Sequence, residues 1–204
     1  MISPEKFDTD IPGVYVIAYK RFIDDRGFFA ETSRVSDLSY IPNFKIVQSN
    51  ESFNVKNTIR GLHFQWEPPM GKLVRSIHGT FFDILLDIRK GSLTHGKAII
   101  IRLERDLTID SDTWIWAPSG IAHGFFCEEE CIVEYLCSGE YSKQNEANIS
   151  SLSEDIDWSL AEKEYVSKFE KVAKKGIITS KDRNGPSVAE WTKDPRSEHF
   201  VYIL

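Results

Sequence analysis

Thr80-Phe81-Phe82-Asp83-Ile84-Leu85-Leu86-Asp87-Ile88-Arg89 is the stretch that decides the fold class. Phe82, Ile84, Leu86 and Ile88 share one parity, and Asp83, Leu85, Asp87 and Arg89 share the other. Successive side chains of a strand point to opposite faces, so this is a strand with one dry face and one mixed face. A barrel wall with a polar cavity on one side has that pattern. Further aromatic and β-branched runs flank it: Val14–Tyr19, Gly27–Glu31, Lys45–Gln48, Leu73–Ile77, Ala98–Leu103, Thr113–Trp116, His123–Cys127 and Ile132–Ser138. Asp24-Asp25-Arg26-Gly27 reads as the turn between the first two. Gly, Asp and Ser punctuate the rest at the spacing of a β-sandwich or barrel. One helix is predicted, Leu160 to Lys175. Ser159 and Glu162 can form a capping box, and Val166, Phe169 and Val172 recur at helical spacing. Lys171, Lys174 and Lys175 suit its last turn, and Gly176 can close it.

The chain has 204 residues, 41% hydrophobic and 27% charged, enough for one unit with a substantial core. No repeat or linker marks a cut. The expectation is one domain over 1–204, a β core over about 14–150 and a helix and tail over 151–204. A net charge of −6 argues against a general nucleic-acid partner, which needs a basic field. Any anion site must therefore be a local basic pocket. No apolar run reaches the roughly 18 residues of a membrane span. Met1-Ile2-Ser3-Pro4-Glu5-Lys6 lacks the basic flank and apolar run of a signal peptide, so a cytoplasmic location is expected. Cys127, Cys131 and Cys137 are odd in number and clustered, which reads as reduced thiols.

Chemistry concentrates in Thr58-Ile59-Arg60-Gly61-Leu62-His63-Phe64-Gln65 and Lys72-Leu73-Val74-Arg75. Arg60 can hold phosphate in bidentate fashion. His63 can take a proton near neutral pH, and Lys72 can neutralise an oxyanion. The competing interpretation is a packed, hydrogen-bonded histidine; three convergent polar types weigh against it. Pro118-Ser119-Gly120-Ile121-Ala122-His123 is a turn delivering a second histidine, and on its residues alone it reads as structural. Tyr135 lies in an apolar strand, with Tyr141 six residues on. Packing is the ordinary role; the alternatives are proton donation by Tyr135 and ring stacking by Tyr141. Lys181-Asp182 is ordinarily a solvated pair, but an aspartate beside a histidine orients it and stabilises its charged form. The five histidines include no pair at strand or helix ligand spacing, so no metal site is expected. There is no nucleophile elbow, Walker loop or dinucleotide fingerprint.

Taken together, these segments resemble the dTDP-4-dehydrorhamnose 3,5-epimerase family, cupin-type nucleotide-sugar epimerases. The resemblance runs from about Val14 to Trp191. It is carried by Arg26-Gly27-Phe28-Phe29-Ala30-Glu31, Gln48-Ser49-Asn50, the Arg60–Gln65 block, Lys72-Leu73-Val74, Asp87-Ile88-Arg89, Ala122-His123-Gly124-Phe125, Tyr135 with Tyr141 and Glu146, and Lys181-Asp182. It implies a mainly β jelly roll (a double-stranded β-helix) with a short C-terminal helical segment. It also implies catalysis without metal or cofactor and a homodimer with exchanged N-terminal strands. His63 would be the base beside the 4-keto group, paired with Asp182. Lys72 would face the enolate oxygen, and Tyr135 would return the proton from the other side. Arg60 and His123 would contact diphosphate and sugar, and Tyr141 would stack on the base. Phe22, Arg26 and Glu31 would hold the nucleotide, the last two from a neighbouring subunit. Gln48, Asn50, Glu146 and Lys181 would complete the shell. The implied reaction is 3,5-epimerisation of dTDP-4-dehydro-6-deoxyglucose through an enolate. The alternatives are a mono-epimerase at C3 or C5 on a dTDP- or CDP-linked 4-keto sugar, and a non-catalytic nucleotide-sugar-binding cupin. The chain departs from the family pattern in the loop Trp66-Glu67-Pro68-Pro69-Met70-Gly71, which is one residue short and lacks a glutamine before the lysine. It departs again in the longer predicted helix.

Overall fold

The computed structural model describes residues 4–39, 41 and 45–202. The larger sheet contains β1 (Glu5–Asp8), β2 (Tyr15–Asp24), β3 (Gly27–Ala30), β4 (Gln48–Asn54), β6 (Lys72–His78), β9 (Ser111–Ala117) and β11 (Cys131–Cys137). The smaller contains β5 (Ile59–Gln65), β7 (Thr80–Asp87), β8 (Ala98–Glu104), β10 (Ile121–Phe126) and β12 (Glu146–Asn148). Their orders are β1-β2-β9-β6-β11-β4, with β3 on β2, and β12-β5-β10-β7-β8. The sheets face each other as a cupin-type jelly roll. Val74, Ile115 and Val133 of one meet Phe81, Leu85 and Phe125 of the other in the lumen.

The decisive strand behaves as its parity requires, with one addition. Phe81 and Leu85 fill the lumen, and Asp83 shares their face and is fully buried. The dry face is a second interior: Phe82, Ile84, Leu86 and Ile88 pack under Phe169, Val172, Trp191 and Phe200 of the C-terminal segment. Burying a side chain of that size is worth about 1.5–3 kcal/mol, so the segment roofs the small sheet.

Several local expectations are corrected. The helix is α1, Lys163–Ala173, and starts three residues late. The Ser159 amide bonds Asp157 Oδ1, and Ala161 closes a turn on the Trp158 carbonyl, so the proposed capping box does not form. Two helices were too short to leave a periodic signal: α2, Ser180–Arg183, and α3, Val188–Lys193. The capping box is at α3, between Ser187 and Glu190. Lys45–Gln48 is not a strand; pairing begins at Gln48 and runs to Asn54. β5 was not predicted as a strand, because Gly61 interrupts its pattern.

That glycine builds the site. His63 lies opposite His123 and Arg60 opposite Phe125, so Gly61 and Leu62 together face Gly124 in a bulge. In a regular strand Arg60 and His63, three apart, would point to opposite faces; the extra residue brings them to the same one. Gly61 has φ +100°, and a Cβ there would come within 2.6 Å of Gly124 Cα. A Cβ on Gly124 would lie 2.3 Å from the Arg60 carbonyl oxygen. Only two glycines allow this approach.

Candidate active site

One end of the lumen opens into a cavity of about 280 Å³, lined by Gln48, Asn50, His63, Phe64, Gln65, Met70, Lys72, Tyr135, Tyr141 and Glu146. Sheet register explains the grouping. Asn50 is directly across from Tyr135, and Cys137 lies across from both Gln48 and Lys72, so these side chains share the inner face.

His63 Nε2 lies 2.7 Å from Asp182 Oδ1. Asp182 is 3% exposed and comes from α2, more than a hundred residues on. Strand-like pairing brings α2 here: the Ile59 amide donates to the Ile177 carbonyl at 2.9 Å, and the Ile177 amide donates to Asn57 at 2.8 Å. The Asp182 amide donates to Thr179 Oγ1 at 3.2 Å, and Asp182 Oδ2 accepts the Gly61 amide at 3.4 Å. Burial by itself raises the Asp182 carboxyl. The bond and charge of His63, with the Gly61 and Thr179 contacts, outweigh burial and hold it below the ordinary carboxylate range.

Tyr135 lies on a different sheet from His63. Burial, aided by Cys137 and opposed by Arg60, lifts its phenol above the usual value, so it is a proton donor at neutral pH. The Lys72 ammonium sits 5.8 Å from the Tyr135 ring centroid. Arg60 is exposed, its Nε donating to Asn54 Oδ1 at 2.6 Å and tying β5 of the smaller sheet to β4, the edge of the larger. At the mouth, Tyr141 Oη and Lys181 Nζ both donate to Glu146 Oε1, at 2.8 and 2.6 Å. Burial raises Glu146, but those two partners outweigh it and keep the carboxylate ionised. Gln48 Oε1 accepts the Tyr141 amide at 2.8 Å, and its Nε2 donates to Asn50 Oδ1 at 2.9 Å. The Tyr141 ring remains 55% exposed.

The structure thus gathers His63, Asp182, Lys72, Tyr135, Gln48, Asn50, Tyr141, Glu146 and Lys181, with Arg60 at the rim. Asp182 and Lys181 reach the cavity through His63 and Glu146, which line it, whereas four other predicted residues, His123, Arg26, Glu31 and Phe22, neither line it nor bond through their side chains to a residue that does. His123 is buried and its Nε2 is 2.7 Å from Asp83 Oδ1. Arg26 pairs with Asp24 at 2.7 Å, Glu31 pairs with Arg34, and Phe22 is exposed. His123 is held by Asp83; for Phe22, Arg26 and Glu31 the reason is topological. Beyond Lys20, β2 leaves β9 and pairs only with β3, at the end of the sheet opposite the cavity-lining β4.

Sequence reasoning assigned no role to Gln65, Met70 or Asp83. Gln65 ties the loops, donating to the Pro68 and Glu140 carbonyls and accepting the Ser142 amide. Its inward parity with His63 was the available signal. Met70 sits in the shortened loop, where no periodicity predicts direction. The other histidines are accounted for locally: His95 bonds Arg89 and Thr192, His199 stacks on Trp66, and His78 is exposed. Among the described residues no three His, Cys, Asp or Glu side chains gather as metal ligands, and no helix is long and apolar enough to cross a membrane.

Comparison with known proteins places the chain as a whole. The family model for dTDP-4-dehydrorhamnose 3,5-epimerase matches residues 8–190. The enzyme of that name from Methanothermobacter thermautotrophicus is 37% identical over 201 residues, covering 96% of each chain. The crystal structure of dTDP-6-deoxy-D-glucose-3,5-epimerase from Legionella pneumophila, in complex with dTDP-4-keto-L-rhamnose, superimposes with a TM-score of 0.80 at 27% identity, covering 98% of this chain and 99% of that one. The dTDP-4-dehydrorhamnose 3,5-epimerase of Sulfolobus tokodaii gives 0.75 at 33% identity, over 93% and 97%. By sequence and by fold alike, the chain belongs to the dTDP-4-dehydrorhamnose 3,5-epimerase family.

Proposed function

We propose that this protein inverts C3 and C5 of a dTDP-linked 4-keto-6-deoxyhexose by proton removal and return. The observation that carries this is a single cavity with His63 on one sheet, held by Asp182 of α2, Tyr135 on the other sheet and Lys72 on its wall. A hydrogen α to a ketone is a weak acid, so its removal needs a base in reach and a charge beside the oxygen. His63 takes the proton, Asp182 stabilises the imidazolium, and Lys72 faces the enolate oxygen. Tyr135 then donates to carbon from the opposite side, and the phenolate recovers its proton from water. At each inverted carbon one C–H bond breaks and one forms, and the His63 imidazolium gives its proton to water before the next cycle, so no redox partner enters. Arg60 at the rim suits the diphosphate, and the exposed Tyr141 ring suits a stacked base. Named relatives that act on dTDP-sugars, one with the dTDP-keto sugar bound, support the substrate class.

The partner we propose is a second copy of the chain. The β2–β3 arm exposes Phe22, Ile23 and Phe29, an apolar surface of the kind interfaces cover. Exchanging arms would carry Arg26 and Glu31 toward the neighbour's cavity.

The test is solvent deuterium incorporation into the 4-keto substrate, followed by NMR. Label at both C3 and C5 is expected. Label at one carbon would reassign the protein as a mono-epimerase, and label at neither would reject proton-transfer catalysis. His63→Ala should abolish exchange while dTDP still raises the melting temperature.

A further inference from the structure

Behind the cavity lies a group of charges that the proposed reaction leaves unused. Asp83 of β7 is fully buried, and His123 of β10 is 6% exposed. His123 Nε2 lies 2.7 Å from Asp83 Oδ1, which claims one carboxylate oxygen. The other, Oδ2, is buried without a hydrogen-bond partner. An unpartnered buried carboxylate oxygen is costly, and something near it should compensate. Across the lumen stands Lys72, within electrostatic range of Asp83 and His123 and in no ion pair among the described residues. Each orphan answers the other.

Resting on the role proposed for Lys72, we infer that Asp83 and His123 are positioning residues. Asp83 is the counter-charge that keeps Lys72 an ammonium, and His123 fixes Asp83 by one oxygen while leaving the second unclaimed. Separation is part of the design. A direct ion pair would take up donors of the ammonium and turn it from the cavity. A counter-charge at arm's length sustains the charge and leaves the N–H groups for a developing oxyanion.

The electrostatics support this. Burial is the largest influence and leaves each group displaced toward its neutral form, Asp83 upward and Lys72 and His123 downward, so each charge depends on its neighbours. Attraction opposes it: His123 and Lys72 pull Asp83 down, and Cys137, Asp83 and Glu146 lift Lys72. The groups facing Lys72 are then Asp83 on β7, His123 on β10, His63 on β5, Glu146 on β12, and Tyr135 and Cys137 on β11. Glu146 already carries Lys181 and Tyr141, and burial raises the Cys137 thiol, so it stays neutral near pH 7. That leaves Asp83 as the carboxylate without a lysine of its own. The charge on Lys72 and the charge on Asp83 therefore favour one another.

The experiment is competitive acetylation of the full-length protein with acetic anhydride across pH, with acetyl-Lys72 read by mass spectrometry. Only the free amine reacts. Asp83→Asn should move the Lys72 midpoint down by about one pH unit or more. It should lower kcat about tenfold or more, with KM within about twofold, and Lys72→Ala/Asp83→Asn should be no slower than Lys72→Ala. Asp83→Glu, which restores the charge, should recover most of the midpoint. If Asp83→Asn fails to fold, His123→Leu carries the same test. It leaves Asp83 easier to protonate, so the Lys72 midpoint should again fall. An unchanged midpoint in the folded variant, or a full additional loss of rate on top of Lys72→Ala, overturns the inference. A shifted midpoint in a protein that exchanges no deuterium would uphold the pairing and remove the catalytic role of the site.

Discussion

Asp182→Asn isolates one charge at the heart of the proposed mechanism. Asparagine keeps the shape and can still accept from His63 Nε2, so the imidazole need not move. What disappears is the attraction between a carboxylate and the imidazolium formed when His63 takes the substrate proton. With Nε2 and Oδ1 2.7 Å apart, the charge centres lie about 4 Å from one another, worth about 4 kcal/mol at an effective dielectric of about 20. His63 retains 33% side-chain exposure, and halving the figure for solvent screening gives a floor of about 2 kcal/mol. At 1.36 kcal/mol per decade, exchange should slow about 30- to 1000-fold. The assay is the rate of deuterium incorporation at saturating substrate, beside the melting temperature with and without dTDP. Binding should persist, since Asp182 is buried behind His63. A rate within about threefold of wild type would refute the role of the pair. The variant has a second signature in acid. The folded-state Asp182 carboxyl lies below its unfolded value, so its contribution to stability is complete above about pH 4 and fades as pH falls through the folded pKa. Asp182→Asn should therefore lose less stability than wild type over that acidic window.

Asp87 is fully buried and accepts from Arg89 Nε and Nη2, Ser92 Oγ and Thr94 Oγ1. Asp87→Asn should cost about 3–5 kcal/mol in chemical denaturation, because it strands a buried guanidinium. Burial raises that carboxyl, but Arg89, Ser92 and Thr94 outweigh it; the stabilisation is present above the unfolded carboxyl range and lost on acidification, and a flat acid-unfolding profile would contradict it. Gly124→Ala puts a methyl 2.3 Å from the Arg60 carbonyl. β5 and β10 must part, so we expect about 1–3 kcal/mol of destabilisation and weakened exchange, whereas a melting curve matching wild type would mean the bulge has slack. Mixing inactive His63→Ala with Arg26→Ala chains should restore about a quarter of wild-type exchange if arms cross between subunits of a two-fold dimer. No recovery above the parents would place Arg26 outside the neighbour's site.

Period-two alternation in Thr80–Arg89 and its companions was enough to specify strands, and turn residues were enough to separate them. Both are local consequences of where a Cβ points, so the β class was legible without coordinates. The reacting residues were legible too, as ordered chemical types along the chain. Local patterns could not say what covered the dry face of β7, since an apolar stripe looks the same under solvent-excluding helices or a second sheet. Helices of four and six residues carry too few turns for a periodic signal. His63 and Asp182, 119 positions apart, meet through the pairing of Ile59 with Ile177, which no neighbouring residue announces. Arg60 and His63 share a face because Gly61 and Leu62 bulge against Gly124, against the alternation that predicted everything else. The unanswered oxygen of Asp83 could be seen only once the two sheets had closed on Lys72. Residue type and alternation are properties of the chain; burial, register slips and the distance between charges belong to the closed barrel, because each depends on which strand the chain finds as its neighbour.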